Sequence, residues 1–387
     1  MSTRLFIVAG EVSGDLHGSS LVKELKALDP DIQIEGLGGP LMAAAGCKLR
    51  LDIASDGLVG FVEVLKNFPS VRRLMLDTVD YLKKSPPDAV ILIDYPGFNL
   101  RLAERLKSTG CRIIYYISPQ VWAWGKGRVA KIAKLVDKMM VILPFEEDFY
   151  KKAGVPVKFV GHPLIDQLSH IAGDLSVDSR RAFDPDSFNV AILPGSRKQE
   201  LERHLQLLLE SAQIIWKRMP GARFTLALPD HGANSPELPK ECARWFDECR
   251  EEDCPPVEIR TGETYDVLHE SSLCLVASGT ATLEAACFLL PMVVVYRVSP
   301  MSYMIARSLV DIKYISLVNL LADAPVVPEL IQNVATAGNI ASTALELIED
   351  KGKRNRMIDE LEHVRGLLGP TGASRVAAET VLSTCNG

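Results

Sequence analysis

The sequence predicts an α/β protein made of two doubly wound, Rossmann-like domains that face a central cleft. Short apolar runs alternate with helical stretches along most of the 387 residues. The runs are continuously apolar rather than alternating, which is typical of parallel strands covered on both faces. One set of runs lies in each half of the chain, so we expect two sheets, with ligands bound beyond the carboxyl ends of the strands.

The candidate strands define the domain boundaries. They are 5–9, 34–36, 89–93, 112–117, 138–142 and 158–160 in the first half, and 189–193, 223–228, 257–260, 273–276 and 292–296 in the second. Helical segments such as 18–28 and 201–218 separate most of them. A polar stretch, 161–185, forms the expected joint. We therefore predict domains at 1–165 and 166–350, with a helical segment, 351–387, that returns to the first domain.

Composition excludes several classes of protein. The chain is 47% hydrophobic and 24% charged, as in globular proteins, and its net charge of −6 argues against general nucleic-acid binding. Its eight cysteines are scattered without CxxC spacing, and since we expect no signal peptide, we predict reduced thiols and a cytoplasmic location. We expect neither a signal peptide nor a membrane-spanning segment. Attachment to a membrane surface is left open.

Two loops in the second half indicate a nucleotide site. Leu193–Arg197, with Glu200, and Ser278–Thr282, with Glu284, each follow an apolar run and begin a helical segment. Backbone N–H groups at a helix N-terminus bind anions, and Arg197 adds a charge-assisted contact. The acceptor-only carboxylate of Glu284 suits a ribose diol. Together the loops predict a nucleoside-diphosphate site; the alternative is two ordinary turns with capping serines.

The first half offers a glycine-rich loop and an acid. Ala9–Gly18 follows the first strand, but its glycine spacing is not GxGxxG, and Ser13 and Asp15 could simply cap a helix. Asp94 comes directly after the buried run 89–93, at the sheet edge where catalytic groups collect. Burial there would suit Asp94 to act as a general base, the alternative being a helix cap.

Two further segments are rich in large apolar side chains. Trp122 and Trp124 lie in the loop Ser118–Trp124, where they either stack on a ligand or complete the core. The segment Gly57–Phe68 is either a buried helix or a lid that meets acyl chains or a membrane surface. The residues that would contact lipid are Leu58, Val59, Phe61, Val62, Leu65 and Phe68.

The order of these motifs resembles the lipid A disaccharide synthase family, inverting glycosyltransferases of the two-Rossmann, GT-B type. The matching segments are Ala9–Gly18, Gly57–Leu65, Ile93–Asn99, Ser118–Trp124, Leu143–Glu146, Gly161–His162, Leu193–Arg197, Ala277–Glu284 and Ser316–Leu321. They span most of the chain, and the combination is far more specific than any one segment. The resemblance also favours the lid over a buried helix at Gly57–Phe68.

The resemblance implies a reaction and its partners. A UDP-2,3-diacylglucosamine donor meets a 2,3-diacylglucosamine 1-phosphate acceptor, whose 6-hydroxyl attacks the donor's anomeric carbon. The products are a β-1,6 disaccharide 1-phosphate and UDP. The family needs no metal or other cofactor and associates with the cytoplasmic face of the inner membrane. A homodimer is compatible with this reading, and no nucleic-acid partner is expected.

The resemblance also implies roles for individual residues. Asp94 is expected to be the general base, and Arg197 is expected to stabilise the departing diphosphate. The donor-binding set consists of Ser13, Gly14, Gly195, Ser196, Arg197, Ser278, Gly279, Thr280, Glu284 and Asn319. For Asn319 the alternative is a turn residue. His162 either makes a structural hydrogen bond or contacts substrate, and His17 receives no role.

Two rival functions fit part of this pattern. One is another sugar-nucleotide enzyme of the same architecture, such as a UDP-N-acetylglucosamine 2-epimerase. The hydrophobic segment and the tryptophan loop argue against it, because that reaction needs no lipid contact. The other is a non-catalytic, membrane-bound nucleotide sensor, which would not need Asp94.

Overall fold

A computed structural model describes residues 2–54, 68–122, 126–169, 171, 176–184, 186–230, 245, 254–299, 303–304 and 313–386. Its contacts divide the chain into two compact units, Met1–Asp166 with Leu368–Gly387, and Gln167–Leu367. The second unit is therefore one continuous segment, inserted between the body of the first unit and its last helix.

The strands and helices alternate along the chain. The strands are β1 (Arg4–Ala9), β2 (Gln33–Gly38), β3 (Lys48–Asp52), β4 (Ala89–Ile93), β5 (Arg112–Tyr116), β6 (Lys138–Val141), β7 (Val157–Phe159), β8 (Phe188–Leu193), β9 (Ala222–Leu228), β10 (Val257–Thr261), β11 (Leu273–Ala277), β12 (Met292–Tyr296) and β13 (Glu329–Ile331). The helices are α1 (Val12–Leu28), α2 (Pro40–Ala44), α3 (Phe68–Lys84), α4 (Pro96–Leu106), α5 (Val129–Leu135), α6 (Pro144–Lys152), α7 (Pro163–Leu168), α8 (Val177–Arg181), α9 (Lys198–Arg218), α10 (Thr264–Glu270), α11 (Thr280–Cys287), α12 (Leu317–Ala322), α13 (Ala337–Glu349), α14 (Lys351–Leu367) and α15 (Ala373–Asn386).

Each unit contains one parallel sheet. The first sheet has the order β3-β2-β1-β4-β5-β6-β7, and the second has the order β10-β9-β8-β11-β12-β13. All of the paired strands run parallel, and the strand order reverses beside β1 and β4 in the first sheet and beside β8 and β11 in the second. These reversal points are where doubly wound sheets bind ligands. The predicted α/β class with two doubly wound sheets is confirmed.

Burial on both faces explains why the central strands are continuously apolar. Phe6 and Val8 of β1 point into a core shared with α3, α4 and α5. Ile7 and Ala9, which alternate with them, point into a second core shared with α1 and α15. A parallel strand in this position has no solvent-facing side, so no polar residue interrupts it.

The sequence missed two strands and misplaced the start of one helix. Strands β3 and β13 lie at sheet edges, and none of their residues is fully buried, so neither shows a continuous apolar run. Helix α1 begins at Val12 rather than near Gly18. A Cβ atom added at Gly18 would lie 2.6 Å from the Met42 sulfur. This glycine therefore serves close helix packing and not a loop.

The predicted return of the whole segment 351–387 to the first domain needs a correction. Helix α14 groups with the second unit, whereas α15 groups with the first. The reason is that Met357, Ile358 and Leu361 are buried in α14, which packs on α8, α11, α12 and α13. Helix α15 packs on α1. No helix within the described ranges has the length and apolar character that crossing a bilayer requires.

A buried carboxylate holds the loop that follows β5. Glu146, 2% exposed in α6, accepts hydrogen bonds from Ser118 Oγ at 2.6 Å and Trp122 Nε1 at 3.0 Å. Its other oxygen accepts the Leu143 N–H at 3.3 Å. The Trp122 ring also packs edge-on against Phe145, at 5.1 Å between centroids. Trp122 is thus bound into the first unit, and Trp124 lies outside the described residues.

Removing this carboxylate should destabilise the protein. Glu146→Ala leaves the Ser118 hydroxyl and the Trp122 N–H without their acceptor, so we expect a loss of roughly 2–4 kcal/mol in the free energy of unfolding. Urea denaturation measures it. The matched control is Asp148→Ala, an exposed acid in the same helix, which should change stability by less than about 0.5 kcal/mol. Equal losses in the two variants would contradict the structural role of Glu146.

Candidate active site

Asp94 occupies a strained corner after β4. Asp94 and Tyr95 both have left-handed backbone conformations, with φ of 46° and 44°, each costing on the order of 1–3 kcal/mol. Three bonds fix the Asp94 backbone: its N–H donates to Tyr116 O at 3.0 Å, and its carbonyl accepts from Asn99 Nδ2 at 2.8 Å and Tyr115 Oη at 2.5 Å. The N-cap of α4 is Tyr95, not Asp94. Structure that is over-determined in this way sustains strain at functional sites.

The surroundings of Asp94 shift its acidity toward neutrality. Burial, together with the nearby charge of Glu11, raises the pKa of Asp94 to about 6, although the hydrogen bond from the Tyr95 N–H acts in the opposite direction. A carboxylate with this pKa is ionised at pH 7 yet is a stronger base than an exposed aspartate. That combination is what general-base catalysis requires.

The loop between β1 and α1 lies against this corner. A Cβ atom added at Gly10 would lie 2.7 Å from the Tyr95 ring, so the approach requires glycine. Ser13 is exposed in the first turn of α1, and Gly14 is buried against Ala9.

Asp15 does not face this loop. Its carboxylate accepts the N–H groups of Gly39, Leu41 and Met42 at 2.9–3.0 Å. Asp15 thereby caps α2 rather than its own helix, which is a structural role.

Two histidines of the first unit, the buried His162 and the partly buried His17, have lowered pKa values. Burial lowers the pKa values of His17 and His162 to about 4, so both are neutral at pH 7. The Nδ1 atom of His162 accepts the Leu164 N–H at 3.1 Å, and the His162 N–H donates to Leu368 O at 2.9 Å. Of the two roles considered for His162, a structural hydrogen bond or a substrate contact, these bonds support the structural one. Nδ1 of His17 is buried without a partner in the part of the chain that the structure describes.

In the second unit, the loop after β8 has the shape of an anion-binding loop, and in this structure it binds the carboxylate of Glu200. Gly195 has φ of 111°, and a Cβ atom there would lie 2.5 Å from a Glu200 carboxylate oxygen. That oxygen accepts the Ser196 N–H at 2.9 Å and the Arg197 N–H at 3.2 Å, while the other accepts from the Arg197 guanidinium at 3.1 Å. A phosphate on these donors would therefore have to displace the Glu200 carboxylate. The Arg197 side chain is 80% exposed, so nothing but its contact with Glu200 would have to break for it to turn toward a ligand.

The loop after β11 combines fixed and open groups. The Ser278 N–H donates to Val295 O at 2.9 Å and its hydroxyl to Ile315 O at 3.2 Å, so both are engaged. Helix α11 begins directly afterwards, at Thr280, and an added Cβ at Gly279 would meet no described atom within 4 Å. The N-terminus of α11, where the N–H groups of Thr280 and Ala281 meet no acceptor among the described residues and the helix dipole is positive, suits an anion.

Glu284 is a largely buried carboxyl group one turn into α11. Burial raises its pKa to about 7, and no hydrogen-bond donor in the described part of the chain offsets that effect. A buried carboxylate without donors is costly unless a ligand supplies them. Two hydroxyl groups would do so.

Asn319 belongs to a network that connects to the β11 loop. Its amide nitrogen donates to Val327 O at 2.8 Å and Glu329 Oε1 at 2.9 Å, and its amide oxygen accepts the Val327 N–H at 2.8 Å. Glu329 also accepts the N–H groups of Ile315 and Ser316. Asn319 therefore shapes the segment that Ser278 contacts, and both of its amide hydrogens are already used.

Glu329 was not predicted as a site residue from the sequence. It lies in β13, an edge strand without an apolar run, and its acidic side chain among apolar neighbours was the only available signal.

The predicted lipid-contact residues Leu58, Val59, Phe61, Val62 and Leu65 lie outside the described residues, as does the side chain of Phe68. Within the described ranges, no group of three or more His, Cys, Asp or Glu side chains is arranged to hold a metal ion.

Comparison with known proteins identifies the family. The pattern of the lipid-A-disaccharide synthetase family matches residues 5–379. A lipid-A-disaccharide synthase from Trichlorobacter lovleyi is 40% identical over 386 residues, covering 98% of this chain and 97% of that protein. One from Geobacter metallireducens is 41% identical over 379 residues, covering 98% and 96%.

Solved structures support the fold. A UDP-GlcNAc 2-epimerase from Neisseria meningitidis, bound to UDP-GlcNAc, has a TM-score of 0.64 at 12% identity, over 99% of this chain and 100% of that one. The calicheamicin glycosyltransferase CalG4 has a TM-score of 0.62 at 15% identity, over 100% and 99%. At these identities the likeness concerns architecture alone. The near-complete match in sequence is what decides the family: this chain belongs to the lipid-A-disaccharide synthetases, a family of glycosyltransferases.

Proposed function

We propose that this protein transfers the diacylglucosaminyl group of UDP-2,3-diacylglucosamine to the 6-hydroxyl of 2,3-diacylglucosamine 1-phosphate. The products are the β-1,6-linked disaccharide 1-phosphate and UDP, with inversion at the anomeric carbon and without a metal ion. The observation that carries the proposal is Asp94: a carboxyl group with raised pKa, held at the reversal point of the first sheet, in a chain of this family.

Asp94 is proposed to be the general base. Its carboxylate accepts the proton of the attacking 6-hydroxyl as the new C–O bond forms and the anomeric C–O bond to UDP breaks. A correctly placed base contributes roughly 10²–10⁴-fold to the rate. The backbone bonds to Tyr115, Tyr116 and Asn99 fix the position from which it acts.

The donor is proposed to bind the second unit and the acceptor the first. The Arg197 guanidinium and the N–H groups of Gly195 and Ser196 would stabilise the negative charge of the departing diphosphate, replacing Glu200 as their partner. Gly279 and Thr280 would bind phosphate at the start of α11, beside Ser278. Ser13 and Gly14 are proposed to face the diphosphate, Asn319 to shape the donor site, and Glu284 to accept the ribose hydroxyls.

The membrane is proposed as the place of action. Both substrates carry acyl chains, and Gly57–Phe68 concentrates apolar residues beside basic ones such as Lys66, Arg72 and Arg73. We propose that this segment contacts the cytoplasmic face of the inner membrane, and that the protein works there as a peripheral enzyme.

The first test is a direct assay of the reaction. Purified protein with both acylated substrates and a chelator should yield the disaccharide, detected by mass. Asp94→Asn should lower turnover by roughly 10²-fold or more while UDP binding is retained. The exposed-acid control Asp77→Asn should keep full activity. Conversion of free UDP-N-acetylglucosamine without use of the acylated donor would favour an epimerase, and full activity in Asp94→Asn would remove its role.

The pH dependence of Asp94 gives a second readout. The wild-type kcat/KM should fall as pH drops through about 6, because protonation of Asp94 removes the base. Since the folded pKa is raised, the carboxyl favours folding below its ordinary pKa and opposes folding once ionised. Asp94→Asn should therefore be at least as stable as wild type at pH 8, by urea denaturation, so lost turnover would not reflect unfolding.

Binding of UDP should depend on the ionisation of Glu284. Ribose hydroxyls donate to the carboxylate, so the affinity for UDP should weaken as pH falls through about 7. Titration calorimetry at pH 8 and pH 6 measures this in wild type and in Glu284→Gln. UDP itself titrates in this range, so the decisive quantity is the difference between the two proteins. An equal pH dependence in both would exclude the ribose contact.

The membrane contact is tested by two charges in the apolar segment. Phe61→Glu with Val62→Glu should lower partition into anionic vesicles and turnover on micellar substrate, because burying two carboxylates in a lipid interface is costly. The far-ultraviolet circular dichroism spectrum should remain unchanged. Unaltered sedimentation with vesicles would refute the contact.

A further inference from the structure

One buried side chain of the second unit bonds to two separate strand ends. His204, in α9, is 2% exposed. Its Nδ1 atom lies 3.1 Å from Pro194 O, and its Nε2 atom lies 3.0 Å from the Arg297 backbone nitrogen. A carbonyl can only accept and an amide N–H can only donate, so the proton is on Nδ1 and Nε2 is the acceptor. Burial lowers the pKa of His204, which favours this neutral form.

The two contacts lie on either side of the β11 loop. Pro194 follows β8 and precedes Gly195, whereas Arg297 follows β12. In the sheet, β11 lies between β8 and β12. The imidazole ring therefore sets the spacing between the two loops that flank Ser278–Thr280.

The Arg297 side of this connection is itself held. The Val298 N–H donates to Gln332 Oε1 at 3.0 Å, and Gln332 Nε2 donates back to Val298 O at 3.3 Å. Gln332 adopts a left-handed conformation, with φ of 53°. These hydrogen bonds hold the backbone after β12 in place. His204, which is bonded to that backbone, in turn holds the Pro194 carbonyl.

The loop after β8 is held on both of its sides. The Glu200 carboxylate accepts hydrogen bonds from the N–H groups of Ser196 and Arg197. On the other side, His204 Nδ1 donates to the Pro194 carbonyl. If a phosphate replaced Glu200 as the acceptor of these N–H groups, the bond from His204 to the Pro194 carbonyl would be the remaining side-chain hydrogen bond described for this loop. His204 is too deeply buried to reach a ligand, so any effect on the donor passes through the loop.

We propose that His204 is a positioning residue that holds the Gly195–Arg197 loop in the geometry needed to bind the donor's diphosphate. The inference rests on the proposed function in one respect, that the diphosphate binds this loop. It predicts that His204 governs the binding of donor and UDP and the departure of the diphosphate, and that it does not govern the binding of the acceptor.

The test compares three substitutions with a matched control. His204→Leu fills the space and removes both bonds. His204→Asn keeps a donor near the Pro194 carbonyl, and His204→Gln keeps an acceptor near the Arg297 N–H. The control is Ser211→Ala, a fully buried residue of the same helix whose hydroxyl donates only within it, to Leu207 O at 2.7 Å.

We expect His204→Leu to raise the KM for the donor and the Kd for UDP roughly tenfold, the effect of losing one or two hydrogen bonds. The acceptor KM should stay within about twofold of wild type, whereas kcat should fall, because the same loop stabilises the departing diphosphate. His204→Asn should recover most of the affinity, His204→Gln should not, and Ser211→Ala should lower only the melting temperature. If His204→Leu does not fold, the contrast between Asn and Gln decides the question.

The outcomes separate this inference from the proposed function. The positioning role would be overturned if His204→Leu left the donor KM and the UDP Kd unchanged and shifted the melting temperature only as Ser211→Ala does. Disaccharide formation by the wild type would still support the proposed function in that case. UDP binding that weakens in His204→Leu and recovers in His204→Asn would support the inference even if wild type formed no disaccharide, a result that would overturn the proposed function instead.

Discussion

The burial of every central strand on both faces is the constraint on which the rest of this structure depends. It leaves no polar side chain in β4 or β11, which flank the points where the strand order reverses, and makes the carboxyl ends of the strands the place for polar groups. The same ends carry backbone groups that no longer pair in the ladder. Asn99 supplies a missing partner at the end of β4, and His204 supplies one directly after β12. Burial of the central strands therefore explains both the arrangement of the sheets and the position of the polar groups of the candidate site.

Buried carboxyls show why a shifted pKa alone does not identify a site. Burial raises the pKa of both Glu146 and Glu284 to about 7. Glu146 nevertheless accepts bonds from Ser118, Trp122 and Leu143, so its acceptor capacity is used within the fold. Glu284 has no such donors in the described residues, which leaves that capacity for a ligand. The distinction lies in the hydrogen bonds and not in the electrostatics.

Local pattern was enough to predict the central strands and the position of Asp94, because a buried parallel strand is a continuous apolar run and its end is easily located. Edge strands such as β13 lack that run. The partners of the predicted residues were also out of reach: Glu146 is 28 positions from Ser118, and His204 is 93 positions from Arg297. Which acid or imidazole meets which loop depends on how the helices pack, and that information is not local.

The insertion of the second unit before α15 has a consequence for synthesis. Helix α15 covers the apolar face of α1, yet it is translated only after the whole of Gln167–Leu367. At ~5–20 residues per second, that delay is on the order of 10–40 s. During this interval Leu21, Val22 and Leu25 lack the cover of Ala377 and Val381. The nascent first unit therefore exposes an apolar surface on the ribosome, of the kind that chaperones bind.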